Sequence, residues 1–149
     1  MNPEYVISIA GVYNIRYVHN GQHRDGNPNK SQWTITETEE RKCFCSAAHL
    51  VYIYGLGDRY CWGLHIEQDL VRYLGVTASR VPTFGQNLFI AKFVDGTRND
   101  LWHGYPADPV GSYQDIPPSD ILELWLGDGY LSKAQIRKIA KGQICKLRS

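Results

Sequence analysis

The sequence predicts an α+β fold: a small antiparallel sheet with a hairpin over residues 93–105, two central helices and a C-terminal αα-hairpin. Three observations lead there. In Phe93-Val94-Asp95-Gly96-Thr97-Arg98-Asn99-Asp100-Leu101-Trp102-His103-Gly104-Tyr105-Pro106, an Asp-Gly pair divides an apolar run from an aromatic one. That is a strong local signal for a tight reversal between two strands. Thr36-Glu37-Thr38-Glu39 has the form of a capping box, and Phe44, Ala47, Ala48, Val51 and Tyr54 follow at helical spacing. Near the end, Pro117-Pro118, Gly127-Asp128-Gly129, Ser132 and Gly142 punctuate two short apolar stripes, as two capped helices require.

Taken in order, residues 4–18 alternate in part, with Tyr13, Ile15 and Tyr17 on one side and Asn14 and Arg16 on the other. This is strand periodicity, with Ala10-Gly11 as a bulge or bend in one long strand. Residues 19–30 lack a large apolar side chain and are rich in turn formers, which predicts a solvated, mobile loop. Residues 31–35 suit a short strand. The first helix is expected over 37–54, stopped by Gly55 and Gly57. Ile66, Leu70, Tyr73 and Leu74 give a second helical stripe closed by Gly75. Leu88 to Val94 is apolar on both faces except at Lys92, the signature of a strand covered on both sides. The Pro/Gly-rich stretch 106–119 reads as an irregular crossing. Ile121, Leu122, Trp125 and Leu126, then Ile136, Ile139 and Ala140, form the final two helices.

A chain of 149 residues, 43% of them apolar and 12% aromatic, is expected to form a single α+β domain, 1–149, with a core that needs no staples. The net charge of +1 supplies no global field to gather nucleic acid or an anionic membrane, so any charged partner must meet a local patch. No run of apolar residues is long enough for a membrane span. The stretch after Met1-Asn2-Pro3-Glu4-Tyr5 lacks the basic flank of a signal peptide and reads as a strand. The expected location is the cytoplasm, with Cys43, Cys45, Cys61 and Cys145 as reduced thiols. Phosphate-loop, dinucleotide, zincin and hydrolase-elbow signatures are absent.

Four kinds of chemistry compete for what remains. Cys45 and His49, and likewise Cys61 and His65, are four apart. On helices, each pair would share a face, and the two pairs could hold a tetrahedral zinc. The plainer alternative makes the cysteines small core residues. A second candidate is a nucleophile: Cys45-Ser46-Ala47-Ala48-His49-Leu50-Val51 resembles the helix-starting cysteine of papain-like and NlpC/P60-like hydrolases. The resemblance implies His103 as the base, with Asp100 or Asp108 orienting it. A helix starting near Thr36 nevertheless places Cys45 about two turns inside, beyond the influence of the helix N-terminus. Third, Lys133, Arg137, Lys138, Lys141, Lys146 and Arg148 follow the last acidic residue, Asp128, and the αα-hairpin has the form of a helix-turn-helix that could contact phosphates. The plainer alternative is a helix C-terminus attracting cations. Fourth, Trp102, His103, Tyr105 and Tyr113 flank the crossing and suit a protein interface, because large rings bury much area with few rotors. The expectation adopted is a binding or accessory protein that meets another protein around Trp102–Tyr113 and the adjoining helical hairpin. It requires no cofactor. The alternatives are a Cys45/His103 hydrolase, a zinc protein and a nucleic-acid-binding protein.

Overall fold

The computed structural model describes residues 3–56, 60–82, 84–97 and 99–147. Gly57 of the expected helix stop, Arg98 of the expected turn, and Arg148 lie outside the described residues. Strands β1 (Glu4–Ile9), β2 (Tyr13–Val18), β4 (Tyr60–Glu67), β5 (Leu70–Arg72), β8 (Ile90–Val94) and β9 (Leu101–Ala107) form one sheet in the order β1-β2-β9-β8-β4-β5. Strands β3 (Gln32–Trp33), β6 (Gly75–Val76) and β7 (Asn87–Leu88) make a second, antiparallel one. Three helices follow the pattern: α1 (Glu37–Tyr52), α2 (Ser119–Gly127) and α3 (Lys133–Ala140). The large sheet is mixed, because β2 and β9 run parallel.

The capping signals govern the helices as read. The Thr36 side chain accepts from the Glu39 amide, and the Glu39 carboxylate accepts in turn from the Thr36 amide. Ser132 and Gln135 do the same for α3, and Gly142 ends it at φ +67°. Pro118 sits immediately before α2.

Four local expectations are corrected. Residues 4–18 are two strands, not one bent strand. Ala10 and Gly11, both at positive φ, turn the chain so that Ile9 faces Tyr13. The second central helix is absent. The stripe at 66–74 is the β4–β5 hairpin, turned by Gln68 and Asp69 at φ +53° and +64°. The alternation of Cys61, Gly63 and His65 against Trp62, Leu64 and Ile66 is a period of two, and it outweighs the helical spacing beyond it. β8 and β9 do pair antiparallel, but Val94 faces His103, so the reversal is wider than two residues. Asp95 accepts the Asp100 amide at 3.0 Å inside it. Finally, residues 19–30 are held rather than loose: His19 and His23 are buried, and Arg24 reaches into the core.

The pleat divides the sheet into two jobs. Ile15 and Tyr17 of β2, Cys61 of β4, Ala91 and Phe93 of β8, and Trp102 of β9 face α1 and meet Phe44, Ala47 and Ala48. Fully burying a side chain such as Phe44 stabilises by about 2 kcal/mol. Gly104 faces Phe93 across the β8–β9 ladder, and a Cβ there would overlap the phenyl ring. At the heart of this side lies Glu40, fully buried. Its carboxylate accepts from Arg24 Nη2 at 2.7 Å and Nε at 3.1 Å, and from the Tyr17 hydroxyl. His19 Nδ1 lies 2.9 Å away. Trp62, Leu64, Phe89, Ile90 and Ala107 belong to the opposite side and pack against Ile121, Leu122 and Trp125 of α2, Leu131, and Ile139 of α3. No helix among the described residues is long and apolar enough to cross a membrane.

Candidate functional site

The candidate site grows from Lys92, the charged residue of the buried strand β8. Lys92 is 6% exposed, on the face of β8 turned away from α1. Its Nζ donates to the Gln114 carbonyl at 2.6 Å and lies 3.8 Å from Asp115 Oδ1. The rings of Tyr60, Trp62 and Tyr105 surround it, with centroids 4.7, 5.2 and 6.0 Å away. Burial lowers the Lys92 pKa, and Asp115 raises it in part. Asp115 is itself buried. It accepts from the Tyr105 hydroxyl at 2.7 Å and from the Asp108 amide at 2.9 Å. Burial raises its pKa against those bonds and Lys92, and burial beside Asp115 likewise raises that of Tyr105.

The crossing from Asp108 to Tyr113 is a ridge with a cavity on each side. The polar cavity, about 330 Å³, is lined by His23, Lys30, Ser31, Tyr105, Asp108 and Asp115, among others. His23 stacks on Tyr105 at 5.2 Å between centroids and 16° between planes. Its Nδ1 lies 2.8 Å from the Ser31 carbonyl, so that nitrogen carries the proton. Burial lowers the His23 pKa, which leaves the ring neutral and Nε2 an acceptor. Among the described residues, Nε2 has no hydrogen-bond partner. Ser31 is fixed in turn by donating to the Pro106 carbonyl at 2.7 Å.

The second cavity is an apolar cleft of about 300 Å³ between the ridge, the short β7 strand and the C-terminal segment. Phe89, Ile90, Ile139, Ile144 and Cys145 line it, and Asp108 borders both cavities. Its outer wall, residues 143–147, is tied down by the Leu147 amide donating to Tyr73 Oη at 2.9 Å. Burial raises the Cys145 thiol pKa, so it behaves as part of an apolar lining. At the apolar cleft Ile144 is 46% exposed and Val110 38%, and Tyr113, next in the chain to Ser112 of the polar cavity, is 81% exposed.

The sequence candidates fall in several places. Tyr105 and Asp108 belong to the site, and Tyr113 stands on the ridge. Trp102 does not reach the surface: it is 2% exposed, packs on Phe44 and donates to Tyr52 Oη at 3.3 Å. His103 is half-buried on the same side of the sheet as Tyr105, with its Nδ1 buried and without a hydrogen-bond partner among the described residues. Burial lowers its pKa. The Cys45/His103 pair is not assembled, because Cys45 is exposed on α1 while His103 points from the opposite side of the sheet. Nor do Cys45, His49, Cys61 and His65 converge on a metal. Among the described residues, no three of them bring ligand atoms within 4.8 Å. Cys61 is 1% exposed and Cys43 is 3% exposed, and burial pushes the Cys43 thiol up to about 12. The set able to hold a metal is Glu39, His65 and Glu67, where His65 Nε2 lies 3.3 and 3.1 Å from the two carboxylates. There the imidazole already stands between the acids. Lys133, Arg137 and Lys138 are exposed on α3.

Sequence reasoning missed His23, Lys92 and Asp115 as parts of one site. Lys92 did carry a signal, as the polar exception in an apolar strand. His23 and Asp115 carried none, since each sits in a turn-rich segment whose folding back onto the sheet is a tertiary event. The chain matches no known family model, and no curated protein and no solved structure matches it either.

Proposed function

We propose that this is a binding protein that meets a partner protein across the ridge from Asp108 to Tyr113, with the C-terminal helical hairpin beside it. The carrying observation is the exposure of Val110 and Ile144 on an apolar cleft of about 300 Å³, with Tyr113 exposed at the end of the same 108–113 segment. Exposed aromatic and aliphatic side chains beside a preformed concavity are what a partner's anchor residues need. The polar cavity on the other flank would supply orientation, since its innermost polar groups, His23 and Asp115, are buried and fixed by hydrogen bonds. Trp102 enters only indirectly, as a core residue beneath the strand that carries His103 and Tyr105.

The test is a differential capture in cells. Tyr113→Ala and Ile144→Asp should each lose a partner that the unaltered chain retains, and Val6→Asp, on the far β1 strand, should retain it. The captured protein is then titrated in purified form. Equal binding by all four proteins would refute the reading. A second reading rests on exposed Lys133, Arg137 and Lys138 of α3, which could contact nucleic-acid phosphates. A steep loss of binding to a duplex oligonucleotide with added salt, reduced by Lys133→Ala and Arg137→Ala, would favour it.

A further inference from the structure

We infer that the polar cavity beside the ridge receives a primary carboxamide, the side-chain end of an asparagine or glutamine on the partner. This rests on the partner-binding reading above and deepens it. The most buried polar residues of the lining, His23 at 6% and Asp115 at 8% exposure, offer acceptors. His23 Nε2 has no partner among the described residues, and each Asp115 oxygen has accepted one hydrogen bond of the two it can take. Asp108 Oδ1 accepts the Gly111 amide at 3.1 Å, and among the described residues its other oxygen has no partner. The donors of the lining belong to less buried residues: Lys30, Asn29 and Ser112. A ligand that fits must therefore carry N–H groups inward and an acceptor outward.

Charge narrows the class. Asp115 is balanced by Lys92 at 3.8 Å, and the lining holds Lys30 as well as Asp108. An ion entering would lose its hydration without gaining a net counter-charge. A guanidinium has donors only and leaves the outer donors unused. A carboxylate has no hydrogen to give His23 Nε2. A primary amide has two N–H donors and one carbonyl, and it carries no charge.

The experiment uses the full chain labelled with ¹⁵N and three probes of similar size: propionamide, N-methylguanidinium and propionate. Histidine-ring and amide spectra are recorded through each titration. Propionamide should move His23 Nε2 and the Ser31 and Ser112 amides saturably, and the two ions should not. His23→Phe keeps a ring against Tyr105 and removes the acceptor, so propionamide should bind about tenfold more weakly, the worth of one hydrogen bond. If that variant does not fold, the discrimination among the three probes by the unaltered chain decides alone. Absence of a saturable response to propionamide overturns the inference, and so does an equal or larger response to either ion. The partner-binding reading is judged separately, by the Tyr113 and Ile144 variants.

Discussion

Two buried carboxylates in this protein share their chemistry and differ in their surroundings. Glu40 on the α1 side and Asp115 on the other side each accept a tyrosine hydroxyl and each face a cation. Glu40 is enclosed: an arginine fork, a tyrosine and a histidine surround a group with no exposure. Asp115 borders a cavity of about 330 Å³, its cation is a lysine ringed by aromatic groups, and its neighbour His23 keeps an acceptor with no partner among the described residues. Enclosure of this kind holds a segment in place, here residues 19–30 against α1. Unused hydrogen-bonding capacity beside an opening is what a binding site requires.

Breaking the enclosed network should have the largest effect. Glu40→Ala removes the carboxylate that the Arg24 guanidinium grips and should destabilise the fold by about 3–5 kcal/mol in urea unfolding. A loss under 1 kcal/mol would mean that Glu40 does not organise this side. Asp115→Asn should lose less, about 1–2 kcal/mol, because the amide oxygen still accepts one of the two native bonds while Lys92 loses its counter-charge. A loss as large as that of Glu40→Ala would erase the contrast between the two sites.

The pH response sharpens the comparison further. Burial holds His23 and His103 below the ordinary histidine value of 6.5, so the folded state takes up protons less readily than the unfolded chain. Their contribution to stability is complete above pH 6.5 and is lost as pH falls from there through the lowered folded values. Asp115 has the opposite sign. Its raised pKa makes the folded state the better proton acceptor, so protonating it offsets part of that loss at more acid pH. The melting temperature should therefore fall below pH 6.5, and His23→Phe should flatten the fall. An unchanged slope in that variant would contradict the burial assigned to the ring. The smallest effect belongs to Tyr113→Ala. With so exposed a ring, stability should change by less than about 0.5 kcal/mol even as partner capture is lost.

How much of this could be read from the residues depends on how local each determinant is. Capping boxes at Thr36 and Ser132 act within four residues, and both are present as read. Pro118 and Gly142 likewise mark helix ends by local sterics. The stripe at 66–74 misled because Ile66, Leu70 and Leu74 fit both periods, and the strand signal lies in the two-residue alternation just before it, in the part of β4 that pairs with β8. Tyr105 was legible as a ring near a crossing. Its partners His23 and Asp115 lie 82 and 10 residues away, reached through a loop anchored by Arg24 and a short turn at Tyr113–Asp115. No periodicity records such contacts. Trp102 shows the converse, since an aromatic residue at a strand end reads the same whether it faces solvent or α1.

The most direct test of the difference between the two sites is the protonation state of one ring. Long-range ¹⁵N–¹H spectra of the histidine side chains, followed between pH 5 and 8, report which nitrogen of His23 holds the proton and where the ring titrates. The account predicts the proton on Nδ1, facing the Ser31 carbonyl, and, because burial disfavours the charged ring, a bare Nε2 at neutral pH with a midpoint below 6.5. A proton on Nε2, or a ring charged at pH 7, would remove the free acceptor and contradict the assignment of this side of the sheet to binding.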